Sequence, residues 1–384
     1  MTLKTVQTDA NAEFKGVAVE LYYAPPWSPT SWTRMQGEID GSLTRRLNAA
    51  PMLTLSYMNP RGKRTEDFQI GGRLKLYMGW GKIDSTLPAF VGYITPGGGI
   101  SRQGYTIKMI AVGYSALLFR EQWLEGYYYS GALTLRQTFD GWECGAAVRE
   151  LVSSMQGGLL DATGVVSSNP IRVAGQDFEL KEGWRTKGDW VNMLVEEMMD
   201  TDIMDGTTRP YYWYETPARS SDTPLFCVRK FPNLADANVV SRTVQWNADL
   251  AASSDTSRTE QCTRAIGQST LDAKLYALYE AQSSKDRFGT LEQILQVKTT
   301  NTDELLRAAY CYVQAHRHVI RVIDMDAFYG IDLQPLTVLD VRNGPFGFEG
   351  RQAVTQVKLP IGTAPRAATV TVASLEEIIT EHTT

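Results

Sequence analysis

Between residues 15 and 58, apolar and polar positions alternate in GVAVELYY and again in GSLTRRLNAAPMLTLSYM. A period of two puts every second side chain on one face, so both stretches predict half-buried strands. APPWSPTSW (Ala24–Trp32) lies between them, and its Pro and Ser content predicts a loop. Trp27 and Trp32 in that loop are either anchors at an interface or contacts of a loop folded back on its own domain. From Ile70 the strand pattern resumes in GGRLKLYMGW, PAFVGYITPGGG and GYTIKMIAVGY. Gly97-Gly98-Gly99 predicts a hairpin connection. A phosphate loop needs a following Lys-Ser/Thr and a helix, and here the flanks are strands.

The period then changes. In Gly141–Gln156, residues Ala146, Ala147, Leu151 and Met155 fall at near-helical spacing. In Gly188–Asp200, Trp190, Leu194 and Met198 recur every four residues with Val191 and Val195 beside them, and Asp189 is placed to cap the helix. PYYWYE and PLFCVRKF follow as two strands around TPARSSDT. Together they predict a small α/β insert over residues 140–232.

After one strand near Thr243–Trp246 and another near the end of LEQILQVKT comes NTDELLRAAYCYVQAHRH (Asn301–His318). Asn301 caps this helix and Glu304 sits at the third position, a variant of the capping box. Leu305, Ala308, Ala309, Tyr312, Val313 and His316 form its apolar face. VIRVIDMDAF, DLQPLTVLDV, GRQAVTQVKLPIG and RAATVTVAS then predict strands. The last residues, 374–384, place Leu375, Ile378 and Ile379 on one side, either a short docking helix or a frayed end. The organisation is α+β: a β-rich part at 1–139, the insert at 140–232, a second β-rich part at 233–373 with helix 301–318, and the tail.

Composition narrows the class. At 384 residues the chain holds two to four units, and 43 % hydrophobic with 21 % charged residues gives an ordinary core. A net charge of −5 offers no overall basic excess for nucleic acid or anionic membrane. The four cysteines, Cys144, Cys227, Cys262 and Cys311, are far apart with no CxxC, which predicts reduced, buried thiols. The N-terminus lacks the apolar segment of a signal peptide, and no run reaches the roughly 18 apolar residues of a membrane span. A soluble protein outside the standard export route is expected.

Chemical signatures are sparse. Asp200, Asp202 and Asp205-Gly206 miss the calcium-loop spacing and lack its closing Glu, so a solvated helix end is expected. His316, His318 and His382 make no H-E-x-x-H, and two histidines two apart on a helix point away from each other. There is no G-x-S-x-G elbow. No metal, cofactor or catalytic residue is assigned, and an enzyme is not expected. Paired carboxylates for glycoside hydrolysis are brought together only in three dimensions, so a cell-wall hydrolase stays open as an alternative.

The C-terminal order is helix, strand, a corner at Leu333, Pro335 and Val338, a strand over Gly350–Val357, and a last strand over Ala368–Val372. With the GDWVNMLVEEM helix and the aromatic strands after it, this resembles the baseplate hub family of phage tails and related contractile injection machines. The resemblance implies two β-barrel-like tail-tube domains, at 1–139 and 233–373, around the α/β insert. It implies a homotrimer whose pseudo-six-fold ring joins the six-fold tail tube to the three-fold central spike. The partners implied are the spike protein, the tail tube protein, tape measure and baseplate wedge proteins, and phage DNA passing through the channel without specific binding. The place implied is the virion baseplate, assembled in the host cytoplasm. A hexameric tube-end or distal tail protein is the alternative within the same class. A mildly acidic chain accords with a bore to which phosphate does not stick.

Overall fold

A computed structural model describes residues 17–58, 68–80, 82–96, 100–103, 106–121, 143–155, 157–166, 186–204, 211–234, 236–245, 250–254, 262–316, 319–326, 330–342, 350–362 and 367–374. The first part contributes β1 (Val17–Ala24), β2 (Thr33–Arg34), β3 (Glu38–Arg46), β4 (Met52–Met58), β5 (Arg73–Trp80), β6 (Phe90–Ile94), β7 (Ile100–Gln103), β8 (Thr106–Val112) and a 3-10 helix (Tyr114–Phe119). The insert holds α1 (Cys144–Ser153), β9 (Asp161–Val165), α2 (Lys187–Met204), β10 (Tyr211–Thr216) and β11 (Leu225–Lys230). Next come β12 (Val240–Gln245), β13 (Leu250–Ser254), β14 (Arg264–Ser269), β15 (Tyr276–Glu280), α3 (Gln282–Phe288), β16 (Glu292–Val297) and α4 (Thr302–His316). The chain closes with β17 (Val319–Asp326), β18 (Val338–Arg342), β19 (Gly350–Ile361) and β20 (Ala367–Ser374).

The molecule is mostly β, and its β-rich parts are not two barrels. One 14-stranded mixed sheet runs β13-β17-β20-β19-β3-β4-β8-β6-β5-β1-β2, with β7 on β8, β18 on β19 and β12 on β18. No barrel closes among the described residues. The two parts fuse where Gly41–Arg46 of β3 pair antiparallel with Gln356–Ile361 of β19. Alternation in the sequence names the buried face of each strand but not its neighbour, so this pairing is invisible to periodicity. One core runs through both parts: Leu21, Leu43, Leu53 and Leu74 share a cluster with Leu339, Val357, Leu359 and Val370.

The insert has its own three-stranded sheet, β10-β11-β9, backed by α1 and α2. Trp190, Leu194 and Met198 are buried with Leu151, Trp213 and Phe226, as the four-residue spacing predicts. Ala146 of the expected α1 stripe is only half-buried, and Val148 takes its place inside. Val91, Tyr93 and Tyr114 belong to the same cluster, so this core extends onto β6 and the start of the 3-10 helix. The cap of α2 is Thr186, not Asp189. The Asp189 N–H donates to Thr186 Oγ1 at 3.1 Å and the Thr186 N–H donates to Asp189 Oδ2 at 3.0 Å. That is a capping box whose cap lies one turn before the expected cap, Asp189.

Residues 262–316 form a further layer. β15-β14-β16 make a small sheet with α4 packed on one side, where Ala265, Ala309 and Val313 meet. The α4 cap follows the expected residues through a relay. Asn301 Oδ1 accepts the Asp303 N–H at 2.9 Å, while the Asn301 N–H donates to Thr299 Oγ1 at 3.1 Å. The Thr299 hydroxyl in turn donates to Glu304, so Glu304 acts through a hydroxyl rather than directly. Leu305, Ala309 and Val313 are the buried face of α4.

Candidate channel face and the seam that carries it

The β3–β19 pairing sorts the side chains of the main sheet into two faces. Leu43 and Arg45 face inward opposite Leu359 and Val357, while Ser42, Thr44 and Arg46 face outward opposite Pro360, Lys358 and Gln356. Cross-strand registers extend the outward rows. Thr369, Lys358, Thr44 and Met52 share one row across β20, β19, β3 and β4. Pro360, Ser42, Thr54 and Ile110 share the next, and Asp40, Ser56, Lys108 and Ser101 a third. Hydroxyls dominate this face, and its charges, Arg46, Lys108 and Lys358 against Glu38 and Asp40, are of both signs. A sheet surface of this kind stays wet without presenting a cationic track to phosphate.

Arg45 locks the seam from inside. Its Nη1 donates to the carbonyls of Leu333 at 2.9 Å and Ile331 at 3.0 Å, and its Nη2 donates to the Ala89 carbonyl at 2.8 Å. The side chain is almost fully buried, and burial lowers its pKa to about 10, with Asp332 pulling the other way. It is therefore a cation at neutral pH. The segment it holds contains the Pro335 corner, where the Thr337 N–H donates to the Gln334 carbonyl at 3.1 Å and Leu336 takes φ +66°. Proline presets the second position of such a turn, and the third requires a left-handed residue, which is unusual for leucine. The Leu336 side chain packs on Phe231, Ala353 and Ala373.

Four sets of polar contacts described here fasten the insert to the main sheet. Glu215 of β10 is buried and accepts the N–H of Ser115 at 2.7 Å and of Tyr114 at 3.1 Å, at the start of the 3-10 helix. Burial raises its pKa to about 7 against the lowering effect of those donors. Asn48, in the turn after β3, donates its N–H to the Trp213 carbonyl at 2.7 Å and accepts the Trp213 N–H at 3.1 Å. Lys75 of β5 pairs with Asp222 beneath the ring of Trp32, its Nζ 4.1 Å from the ring centre, and Trp32 Nε1 donates to Asp222 at 2.6 Å. Arg219 on the same loop pairs with Asp84 at 3.1 Å.

The two loop tryptophans thus separate. Trp32 is the folded-back ring, while Trp27 is 70 % exposed. Leu375, Ile378 and Ile379 lie outside the described residues, as do Gly97–Gly99, Trp246, Asp205, Gly206, His318 and His382. Asp200 and Asp202 fall on the last turn of α2. The ring of His316 is stacked on Tyr312 at 4.0 Å, with Nδ1 2.9 Å from the Tyr312 carbonyl oxygen. All four cysteines are buried, and none is in a disulfide. Among the described residues no group of three or more His, Cys, Asp or Glu is arranged to hold a metal ion. Arg45, Lys75 and Glu215 escaped the sequence reading. Arg45 at least carries a signal, being a charged residue in phase with Leu43.

Among the described residues the main path of the sheet ends at β13 on one side and at β1–β2 on the other, with β12 at the end of a branch through β18. β2 covers β1 only at Tyr22 and Tyr23, and the Met35 N–H adds one bond to the Leu21 carbonyl. Beyond that point lies a groove of about 490 Å³, lined by Val19, Glu20 and residues 34–39.

No family model matches the chain, and no curated protein matches it in sequence. Solved structures do match in fold. A 43 kDa tail protein of prophage MuSo2 from Shewanella oneidensis is 13 % identical with a TM-score of 0.56, covering 92 % of this chain and 98 % of its own. A tail protein from Neisseria meningitidis is 11 % identical with a TM-score of 0.57, covering 94 % and 97 %. A chain of the half-lidded Francisella PdpA–VgrG complex is 8 % identical with a TM-score of 0.50, covering 93 % of this chain but 57 % of its own. The resemblance that the C-terminal corner and strands carry in the sequence holds in three dimensions: this chain has the fold of phage tail proteins.

Proposed function

We propose that this chain is a structural subunit of a phage-type tail, the baseplate hub between tail tube and central spike. One observation carries this: the likeness to the MuSo2 tail protein extends over 92 % of this chain and 98 % of the other, so it is a likeness of the whole molecule rather than of a shared module. Three copies form a head-to-tail ring. A sheet whose described strands end at β13 on one side and β2 on the other suits such a ring, because heterologous contacts cover one end with the other. Each copy brings two halves of the main sheet, one on each side of the β3–β19 seam, so three copies offer six to a six-fold tube. The hydroxyl-rich outer face lines the DNA channel. The likeness to a chain of the PdpA–VgrG complex supports a spike-type partner.

Within this assembly the units are 1–139, the insert 140–232, 233–373 and the tail 374–384. Trp27 is an anchor for a neighbouring tail protein, with Leu375, Ile378 and Ile379 as a second contact. Tape measure and wedge proteins are the outer neighbours, and the complex assembles in the host cytoplasm before it joins the virion. The role is mechanical, not catalytic.

Mass in solution and negative-stain images of the purified chain, alone and with the spike protein of the same tail, test this. Three-fold rings with an open centre are expected. Six-fold rings would replace the hub with a tube-end protein, and a monomer under both conditions would overturn the ring.

A further inference from the structure

β1 is covered unevenly on its outer side. β2 and Met35 reach only Leu21–Tyr23, the Met35 N–H donating to the Leu21 carbonyl at 2.8 Å. Backbone groups of a strand point alternately to its two sides. The register of β1 on β5 runs unbroken from Ala24 back to Val17. The N–H and C=O groups of Val19 and Val17 therefore point the same way as those of Leu21. Among the described residues they meet no partner strand there, and the groove lined by Val19, Glu20 and residues 34–39 lies beside them. On the groove's other flank, β19 covers β3 only from Gly41 onward.

The side chains agree with the backbone. Leu21 and Tyr23 are buried, while Val17 and Val19 on the same face are only half-buried, as is Ile39 in the groove lining. Such an edge wants one more short strand, apolar at every second position on the inward face.

The chain carries that pattern directly before β1. Residues 1–16 lie outside the described residues, and in their sequence Ala10, Ala12 and Phe14 alternate with Asn11, Glu13 and Lys15, followed by Gly16. A two-residue connection at Lys15-Gly16 sets Phe14 opposite Val17, Glu13 opposite Ala18, Ala12 opposite Val19 and Asn11 opposite Glu20. Glycine suits the second loop position, where φ is positive. The turn closes with the Val17 N–H on the Phe14 carbonyl, and the next bonded pair is Ala12 with Val19. Those are the two residues of β1 whose backbone groups face the groove. The same register puts Phe14 and Ala12 on the inward face with Val17 and Val19, and a one-residue slip would turn both outward. Hydrogen-bonding phase and apolar phase thus agree in one register.

We infer that Asn11–Phe14 supply, within the same chain, the strand that completes the Val17–Glu20 edge, turning through Lys15-Gly16. β2 keeps its own outer edge, so the inference neither needs nor opposes the ring reading.

Site-resolved hydrogen exchange on the full chain tests this. The Val17 and Val19 amides are expected to exchange on the order of a hundredfold more slowly than amides of an open edge. They should match Ala18 and Glu20, whose amides face β5. An Ala12→Pro/Phe14→Asp double variant should release Val17 and Val19 and leave Ala18 and Glu20 protected. Free exchange at Val17 and Val19 in the wild type overturns the inference. Protection that survives the double variant also overturns it, because something else then covers the edge. A Glu13→Cys/Ala18→Cys pair identifies the source, since residues opposite each other at a non-bonded position are closest. The four native cysteines are buried, and peptide mapping assigns the new bond. A disulfide between positions 13 and 18 at the mass of one chain is expected. The same bond joining two chains names a second copy and overturns the in-chain strand. The wild-type exchange decides the matter even if the variants do not fold.

Discussion

Glu215 and Ser115 meet across the boundary between the insert and the main sheet, the carboxylate of one accepting the backbone N–H of the other at 2.7 Å. Burial lifts the Glu215 pKa from 4.5 to about 7. The folded chain therefore binds this proton more tightly than the unfolded chain. The stability it contributes is complete below pH 4.5 and is lost as the pH rises through about 7. The loss is on the order of 3 kcal/mol. Urea unfolding at pH 5 and pH 8 is expected to show the wild type weakening with pH, and Glu215→Gln weakening much less. Equal slopes for the two proteins would contradict the assignment.

Arg45 holds three carbonyls of two distant segments with one planar group. Arg45→Ala is expected to destabilise the chain by about 3 kcal/mol or more, because buried acceptors lose their donors. Arg45→Lys should recover little, since an ammonium lacks the fork that spans them. Hydrogen exchange localises the damage: amides of residues 330–342 should exchange faster, while those of the insert keep their protection.

The tryptophans of the Ala24–Trp32 loop predict opposite outcomes. Trp32→Ala removes a ring from Lys75 and a donor from Asp222, and is expected to cost about 1–2 kcal/mol. Trp27→Ala should change stability by less than about 0.5 kcal/mol. Thermal melts of the two variants distinguish a structural ring from one held out for a partner. A large loss for Trp27→Ala would remove it as an anchor.

If the outer face of the main sheet lines a channel without holding DNA, added cations should make it hold DNA. Thr54→Lys, Ser56→Lys and Thr369→Lys together add three cations to the outer face of the sheet. Salt-dependent retention on immobilised duplex DNA is expected, with a slope of about 0.9 per phosphate contacted. The wild type should elute without retention at low salt. Binding by the wild type equal to that of the variant would argue against this face as the lining.

Local patterns were legible where local forces decide. Leu53, Leu55 and Tyr57 are buried in strict alternation along β4, and Trp190, Leu194 and Met198 are buried at helical spacing, because burial of an apolar side chain is written at its own position. The α4 cap residues were legible for the same reason. Thr186 was missed because a capping box with Asp at its third position looks, in sequence, like a cap at Asp189. What spacing could not show is partner choice. The bonds from Arg45 to Leu333 and from Glu215 to Ser115 link residues 288 and 100 positions apart. Nothing at either end of such a pair names the other. For the same reason two β-rich stretches read as two barrels became one sheet, and the β14–β16 layer dissolved into its neighbours.

The β3–β19 seam also sets a clock. When β3 leaves the ribosome, the strand that will cover Gly41–Arg46 is about three hundred residues from being made, roughly 15–60 s at ordinary synthesis rates. Through that interval the first part of the chain carries an unpaired strand edge beside its core, open to strands of other nascent copies. The edge ends in Arg45-Arg46, two adjacent cations that make like-with-like pairing repulsive, and one of them becomes the buried lock once Leu333 arrives. The residue that closes the finished molecule thus also guards the unfinished one.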